Sequence, residues 1–344
     1  MANIMVTEVC NLRCPYCFAD EFVNHSPKEM TVNDFREALD FVLSDPTDSQ
    51  VGIIGGEPLL YPHIEEVLRI ALDDVRANPV MIYTNAVDLE KLPDDILTHR
   101  KFRMLVNVNS PEDMGEDNWS KMYHNLRQFQ SEHNGDGRFR LSVNIYKPDF
   151  NYDYVMYMAQ EMKFDVIRLS ISVPQNGNLN GKTPHQYFQD MKMVSNRFVA
   201  DMIKMGVLTG FDCNFMPSCA LTEAEFDSLN GPKEIIYEAI EKRYSSSFWE
   251  RAIVSHIHIC SPVIDILPDL QAIRCFGMSE HTKQNIRDYR NIKQLRKHYI
   301  DTVDRPALAI SSSPECKGCL ERELGTCSGG CLLFKASQLF ADAK

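Results

Sequence analysis

Cys10-Asn-Leu-Arg-Cys14-Pro-Tyr-Cys17 sets three thiols at CxxxCxxC spacing. Thiolates held this close can each bind one iron of a 4Fe-4S cube, which leaves the fourth iron without a protein ligand and open to a substrate or cofactor. An incomplete zinc site or packing cysteines would use the same spacing. Eight further cysteines follow: Cys213, Cys219, Cys260, Cys275, Cys316, Cys319, Cys327 and Cys331. Two fully ligated cubes would take them all. The last four read CxxCx7CxxxC, and Cys260 precedes Cys275 across a turn at Pro268-Asp269. A zinc knuckle is the competing reading of that quartet, and buried small hydrophobes that of Cys213 and Cys219.

These thiols need a scaffold, and 344 residues at 44% hydrophobic and 24% charged supply enough chain for a large core. Disorder and small disulfide scaffolds are excluded on those figures. With 48 acidic against 36 basic side chains the net charge is -12. That is not the footprint of a duplex nucleic-acid binder or of a protein that sits on anionic membrane, whereas a basic peptide is compatible with it. The apolar runs are shorter than the roughly 18 residues a membrane helix needs, and no signal peptide precedes the first strand. A cytoplasmic protein is expected, where clustered cysteines are metal ligands more often than disulfides.

The first half alternates strand-like and helix-like stretches, the pattern of βα units around a parallel sheet. Strands are expected at Ile4–Val9, Val51–Ile54, Val80–Thr84, Phe102–Val108, Arg140–Tyr146 and Val166–Ile171. Thr31 with Asp34 three residues on reads as a helix start, followed by an apolar stripe of Phe35, Ala38, Leu39 and Val42. Ile64, Val67, Leu68 and Ala71 mark a second helix face, Trp119, Met122, Leu126 and Phe129 a third, and Tyr154–Met162 a fourth. Six βα units imply an α/β fold, a partial (β/α)6 TIM-like barrel. The turn-rich stretch after Ser172 suggests a boundary. The expected division is therefore 1–175 as barrel core, 176–209 as linker and helix, and 210–344 as a cysteine-rich auxiliary domain with helices near 232–243, 287–299 and 332–342.

The cysteine motif resembles that of the radical S-adenosylmethionine (SAM) enzymes, and the likeness extends beyond the thiols. Tyr16 precedes the last cysteine, where the resemblance implies a ring beside the adenine of SAM. Gly55-Gly56-Glu57-Pro58 is similar to the family's GGEP motif, which implies contact with the methionyl amine, and Thr84-Asn85 to its Thr-Asn-Gly, with Ala86 in place of glycine. Both motifs end neighbouring expected strands, where ligands bind in parallel α/β structures. Asn107, with Asn109 near it, Asn144, and Arg168 or Ser170 are further candidates for SAM's ribose or carboxylate, against the plainer reading of strand-end caps. The resemblance implies that the open iron chelates SAM, that an electron cleaves its sulfonium C–S bond, and that the 5'-deoxyadenosyl radical so formed abstracts hydrogen from a substrate carbon.

The C-terminal cysteines resemble the SPASM extension of radical SAM maturases, whose usual form is CxxCx5CxxxC with one more cysteine downstream. Here the middle gap is seven, and no cysteine follows Cys331. Cys213 and Cys219 would then complete two auxiliary 4Fe-4S sets, one with Cys260, Cys275 and Cys331 and the other with Cys316, Cys319 and Cys327. How the pair divides is left open. Fully ligated clusters would carry electrons away from a substrate radical.

The implied activity is oxidative modification of a ribosomally made peptide, by cross-linking, dehydrogenation or another alteration. A small-molecule modifier, acting on a sugar or alcohol, and a non-catalytic metal scaffold are the alternatives. The first strand begins within a few residues of Met1, so a separate leader-binding protein or the C-terminal region is expected to hold the peptide. A reductant such as flavodoxin or ferredoxin is implied; nucleic acid and membrane are not expected as partners. Asp212 beside Cys213 is the candidate catalytic acid or base, ahead of Asp265 and Asp269, although turn and capping roles suit all three. His256 and His258 alternate before Cys260 as strand neighbours would.

Overall fold

The computed structural model describes residues 2–132, 137–174, 177–211, 216–220, 263–319, 322, 327 and 329–341. Asp212, Cys213, His256, His258, Cys260 and the expected helix near 232–243 lie outside the described residues. The chain divides into two compact units: Met1–Val143, Asp153–Ile167 and Pro262–Ile300 form the first, and Asn144–Tyr152, Arg168–Ser261 and Asp301–Lys344 the second.

Parallel strands built from Val and Ile are buried on both faces, and β1 (Ala2–Met5) and β2 (Val51–Ile54) show no exposed residue. Alternate burial appears in β3 (Val80–Thr84) and β4 (Phe102–Asn107), where Met81, Tyr83, Arg103, Leu105 and Asn107 share the less buried face. With β5 (Phe139–Ile145), these strands run parallel in the order β1-β2-β3-β4-β5. The helices between them pack by the stripes that their spacing predicts. Thr31 accepts the Asp34 amide and starts α1 (Val32–Val42), which buries Phe35, Ala38, Leu39 and Val42. Ile64, Val67, Leu68, Ala71 and Leu72 are the buried stripe of α2 (Ile64–Asp73). Burial of each such large side chain contributes about 1.5–3 kcal/mol. Single turns α3 (Asp94–Leu97) and α4 (Pro111–Met114) precede α5 (Glu116–Glu132) and α6 (Asp153–Met162). In α5 Met122, Leu126 and Phe129 are buried, while Trp119 stacks on Tyr123 at 5.2 Å.

Three strands of the first unit are not evident in the sequence. After β6 (Val166–Ile171), α7 (Pro184–Lys204) and β7 (Leu208–Phe211), the chain supplies β8 (Ile264–Ile266), β9 (Gln271–Ile273) and β10 (Gln284–Asn285). β8 pairs parallel with β1, β9 returns antiparallel through the Pro268-Asp269 turn, and the order on that side is β10-β9-β8-β1. Strands of two or three residues carry too little alternation to be read from pattern. The helix expected at 287–299 starts later, as α8 (Ile292–Tyr299), because Asn291 caps it by accepting the Gln294 amide.

In the second unit β6 and β7 are neighbours. α7 begins at a capping box in which Thr183 and Gln186 satisfy each other's backbone amides. The segment expected to be helical at 332–342 is a 3-10 turn over Leu332–Lys335 followed by a one-turn helix, Ala336–Leu339. The fold is α/β with a parallel sheet in a partial-barrel arrangement. Among the described residues no helix is long and apolar enough to cross a membrane.

Candidate active site

β1 ends at Met5, four residues before the end its sequence suggests, because its continuation leaves the regular ladder to meet the end of β2 and a neighbouring loop. Val6 donates to Ile54 O at 2.9 Å, Glu8 to Lys28 O at 3.0 Å, and the amides of Gly56 and Glu57 reach Thr7 O and Val9 O, each at 2.8 Å. The three-cysteine loop springs from this braced segment. Asn24 holds its first residue from both sides: Cys10 N–H donates to Asn24 Oδ1 and Asn24 Nδ2 donates to Cys10 O, each at 3.0 Å. Asn24 takes the left-handed backbone (φ 61°) that asparagine tolerates better than most residues. Cys17 N–H closes a turn onto Cys14 O at 3.1 Å.

Within this loop the thiols of Cys10, Cys14 and Cys17 are electrostatic neighbours. Burial, then the charges of Glu57 and Cys17, pushes Cys10 up to about 11. Burial followed by Cys10 and Cys17 pushes Cys14 up to about 12, and burial also raises Cys17. Three thiolates together therefore need a cation, and a cluster supplies one. Among the described residues no three His, Cys, Asp or Glu side chains converge as ligands of a single metal ion. A cube asks for a different arrangement, with each thiolate on its own iron. The donor set fits that group.

Gly56 faces the loop. A Cβ there would lie 2.4 Å from Val9 O and 3.0 Å from Cys10 Cβ, and one on Gly55 would lie 2.9 Å from Thr7 O. Glycine thus lets the end of β2 pack directly against the backbone that carries the first thiol. Glu57 is buried, and its carboxylate already receives three bonds: Leu59 N–H (3.1 Å) and Thr84 Oγ1 (2.6 Å) on Oε1, and Asn85 N–H (2.7 Å) on Oε2. Burial outweighs these donors and raises its pKa to about 7. The expected contact of Glu57 with a methionyl amine is thus accompanied by a structural task, the joining of β2 to the end of β3. Ala86 takes a φ of 57°, which accounts for glycine being common in the motif it resembles.

Thr84-Asn85 connects onward to the loop. Asn85 Nδ2 donates to Asn11 Oδ1 at 2.8 Å, and Asn11 Nδ2 to Asp88 Oδ2 at 3.1 Å, so a residue between the first two cysteines is tied to the end of β3. The end of β4 holds the other side. Asn107 Nδ2 donates to the Tyr16 hydroxyl at 3.1 Å, that hydroxyl donates to Asn109 Oδ1, and Asn109 Nδ2 donates to Cys14 Sγ at 3.3 Å. Cys10, Cys14, Cys17, Tyr16, Gly55, Gly56, Glu57, Thr84, Asn85 and Asn107 are thereby brought into one bonded neighbourhood. Asn11 and Asn24 belong to it too, yet nothing in their spacing marks them. Asn144, Arg168 and Ser170 stand in the second unit, where Ser170 Oγ donates to Asn144 Oδ1 at 3.2 Å.

Cys275 in the first unit precedes the 3-10 turn Phe276–Met278, and Phe276 packs into an apolar cluster with Met5, Ala19, Val23 and Ile54, against which Cys10 and Cys17 also lie. Asp265 is buried and accepts from Asn3 Nδ2 at 2.7 Å near the start of β1, the end remote from the cysteine loop. Asp269 forms an exposed ion pair with Lys28 at 2.8 Å. Cys219, Cys316, Cys319, Cys327 and Cys331 stand in the second unit. There the Gly329 amide donates to Cys327 Sγ at 3.3 Å, and Lys335, fully buried, donates from Nζ to Ala307 O at 2.9 Å. Burial, followed by Arg322, lowers the Lys335 ammonium to about 8, against the pull of the Cys327, Cys316 and Cys331 thiols.

Residues 4–172, just under half of the chain, match the Radical SAM superfamily. The chain carries a radical SAM domain. SAM and a 4Fe-4S cluster are the cofactors of that domain, and the loop, glycines and strand ends described above all fall within it. Curated relatives match over a shorter stretch: the GTP 3',8-cyclase of Rhodococcus opacus is 28% identical over 110 residues, 31% of each chain, and that of Chlorobaculum tepidum 34% over 97 residues, 28% of each. The matches thus span less than a third of those relatives' length. Solved structures share the fold over nearly the whole chain. Native anSMEcpe with bound AdoMet and Kp18Cys peptide superposes with a TM-score of 0.64 at 15% identity, covering 99% of this chain and 98% of that one. Streptococcus suis SuiB bound to its precursor peptide SuiA gives 0.61 at 16% identity, covering 96% and 71%.

Proposed function

We propose that this radical SAM enzyme reductively cleaves SAM to a 5'-deoxyadenosyl radical and oxidatively modifies a ribosomally made peptide, with auxiliary 4Fe-4S clusters accepting electrons. The observation that carries the reading is the pairing of a complete three-thiol loop with a second set of cysteines over a fold shared from end to end with anSMEcpe. When bound at the loop, the cluster supplies the electron and the open coordination position. The chain's own part is positional. Cys10, Cys14 and Cys17 are the cluster ligands in this reading, and Asn109 orients Cys14 while fixing the Tyr16 ring for the adenine. Gly55 and Gly56 bring the β2 backbone up to the loop, and Glu57 locks the ends of β2 and β3. Asn107, Asn144, Arg168 and Ser170 are the proposed polar contacts to SAM, and Asp212 the proposed acid or base. The functional division places the core at 1–175, a linker and helix at 176–209 and the auxiliary-cluster region at 210–344; structurally, Pro262–Ile300 belongs with the first unit.

The short cyclase matches favour a second reading, a small-molecule substrate such as a nucleotide. One experiment separates the two. Anaerobically reduced protein with SAM is offered precursor peptides or GTP, and 5'-deoxyadenosine is followed beside substrate mass. The peptide reading expects extra 5'-deoxyadenosine and loss of hydrogen from the peptide; stimulation by GTP with every peptide inert would replace it. No 5'-deoxyadenosine under any condition would leave a metal scaffold.

A further inference from the structure

Cys316, Cys319 and Cys327 supply three of the four thiolates that close a cube. The structure places an upstream thiol beside them. Cys219 sits on the 3-10 turn Ser218–Ala220, and α7 holds that turn by donating from Gln189 Nε2 to Ala220 O at 3.1 Å. The same helix holds the other segment, since its N-cap Thr183 donates from Oγ1 to Glu315 Oε1 at 3.2 Å, next to Cys316. Six residues separate the two attachment points, about 9 Å along the helix. That separation is short enough for one iron–sulfur cluster to bridge both segments.

Around these thiols the chain is arranged for negative charge. Cys219 is within electrostatic reach of Cys327, Cys316 and Cys319. Gly329 and Gly330 both take positive φ (81° and 91°), and both amides donate toward Cys327 Sγ. A Cβ on Gly330 would stand 2.5 Å from Ser312 Oγ, at a backbone φ that already disfavours any side chain there. The buried Lys335 ammonium near Cys327 and Cys316 matches an anionic cube held by four thiolates and would be costly beside neutral thiols.

We propose that Cys219 is the fourth ligand of an auxiliary iron–sulfur cluster held by Cys316, Cys319 and Cys327. The assignment rests on the reading of the C-terminal cysteines as cluster ligands. It makes this cluster fully ligated, an electron carrier with no iron left open for a substrate.

The test uses the full chain with Cys10, Cys14 and Cys17 replaced by Ala, reconstituted anaerobically, as parent for Cys219→Ala, Cys316→Ala and the double variant. Iron per chain and the reduced-state electron paramagnetic resonance spectrum are read. Each single change is expected to remove or convert the same cluster, and the double variant to lose no more than either. An unchanged spectrum and iron content in Cys219→Ala, or additive loss in the double variant, would overturn the ligand assignment while leaving the auxiliary clusters in place. A parent without iron would overturn both. A measurement without substitution guards against misfolding: in the reconstituted wild type, Cys219 is expected to resist alkylation and to become reactive on iron chelation together with Cys316, Cys319 and Cys327. Alkylation of Cys219 while those three stay protected would contradict the proposal.

Discussion

The two cysteine regions are built by different means. In the N-terminal loop three thiols lie within eight residues, and the ends of three parallel strands brace them through Gly56, Asn85 and Asn109. In the C-terminal region Cys219 and Cys316 are almost a hundred positions apart, and a helix that carries no cysteine draws their segments together. A contiguous motif can therefore announce its chemistry in sequence, whereas a distributed ligand set becomes visible only when the fold closes it.

The largest expected effect separates the regions by function. Cys14→Ala should bring 5'-deoxyadenosine formation to background under anaerobic reduction while the C-terminal cysteines still hold iron; cleavage at the wild-type rate would remove the loop from the chemistry. The next effect probes strand-end bracing. Gly56→Ala must push the Val9 carbonyl away from the new methyl, so chemical denaturation should show a loss of about 1–3 kcal/mol together with slower SAM cleavage. Its C-terminal counterpart, Gly330→Ala, should reduce iron retained by the second unit and leave SAM cleavage in place. Equal loss from both regions would erase the contrast.

A smaller effect concerns Glu57, whose folded carboxyl is raised to about 7 by burial. Between its unfolded value near 4.5 and that folded value, the folded chain binds more protons than the unfolded chain. Stability should fall as pH rises through this window, by up to about 1.4 kcal/mol per pH unit. Glu57→Gln should flatten that slope in thermal melts; a slope that persists would assign it to other groups. The smallest effect is Ala86→Gly. Relief of the left-handed backbone, about 1–2 kcal/mol, exceeds the lost methyl burial of about 0.8 kcal/mol, so the variant should gain up to about 1 kcal/mol in denaturant titration. A clear loss would show that packing governs this turn.

Legibility followed the same division. Val51–Ile54, Val80–Thr84 and Val166–Ile171 emerge with the ends their composition suggests, and Thr31 caps α1 as its spacing with Asp34 indicates. The loop thiols, the glycines and Glu57 are legible because they are sequential. The bonds that organise them are not: Asn24 and Asn11 have ordinary neighbours, and their roles arise from chain crossings over 14 and 74 positions. β8 escapes notice because three residues show no period, yet its parallel pairing with β1 adds Pro262–Ile300 to the first unit. Lys335 reads as an ordinary surface lysine until its burial beside the cysteines is seen.

The distinction between one open and two closed cysteine sites is tested most directly by iron and acid-labile sulfide per chain after anaerobic reconstitution, in wild type beside the Cys10/Cys14/Cys17→Ala variant. The account predicts about twelve irons falling to about eight. About four falling to none would contradict it, leaving a radical SAM domain with no auxiliary clusters.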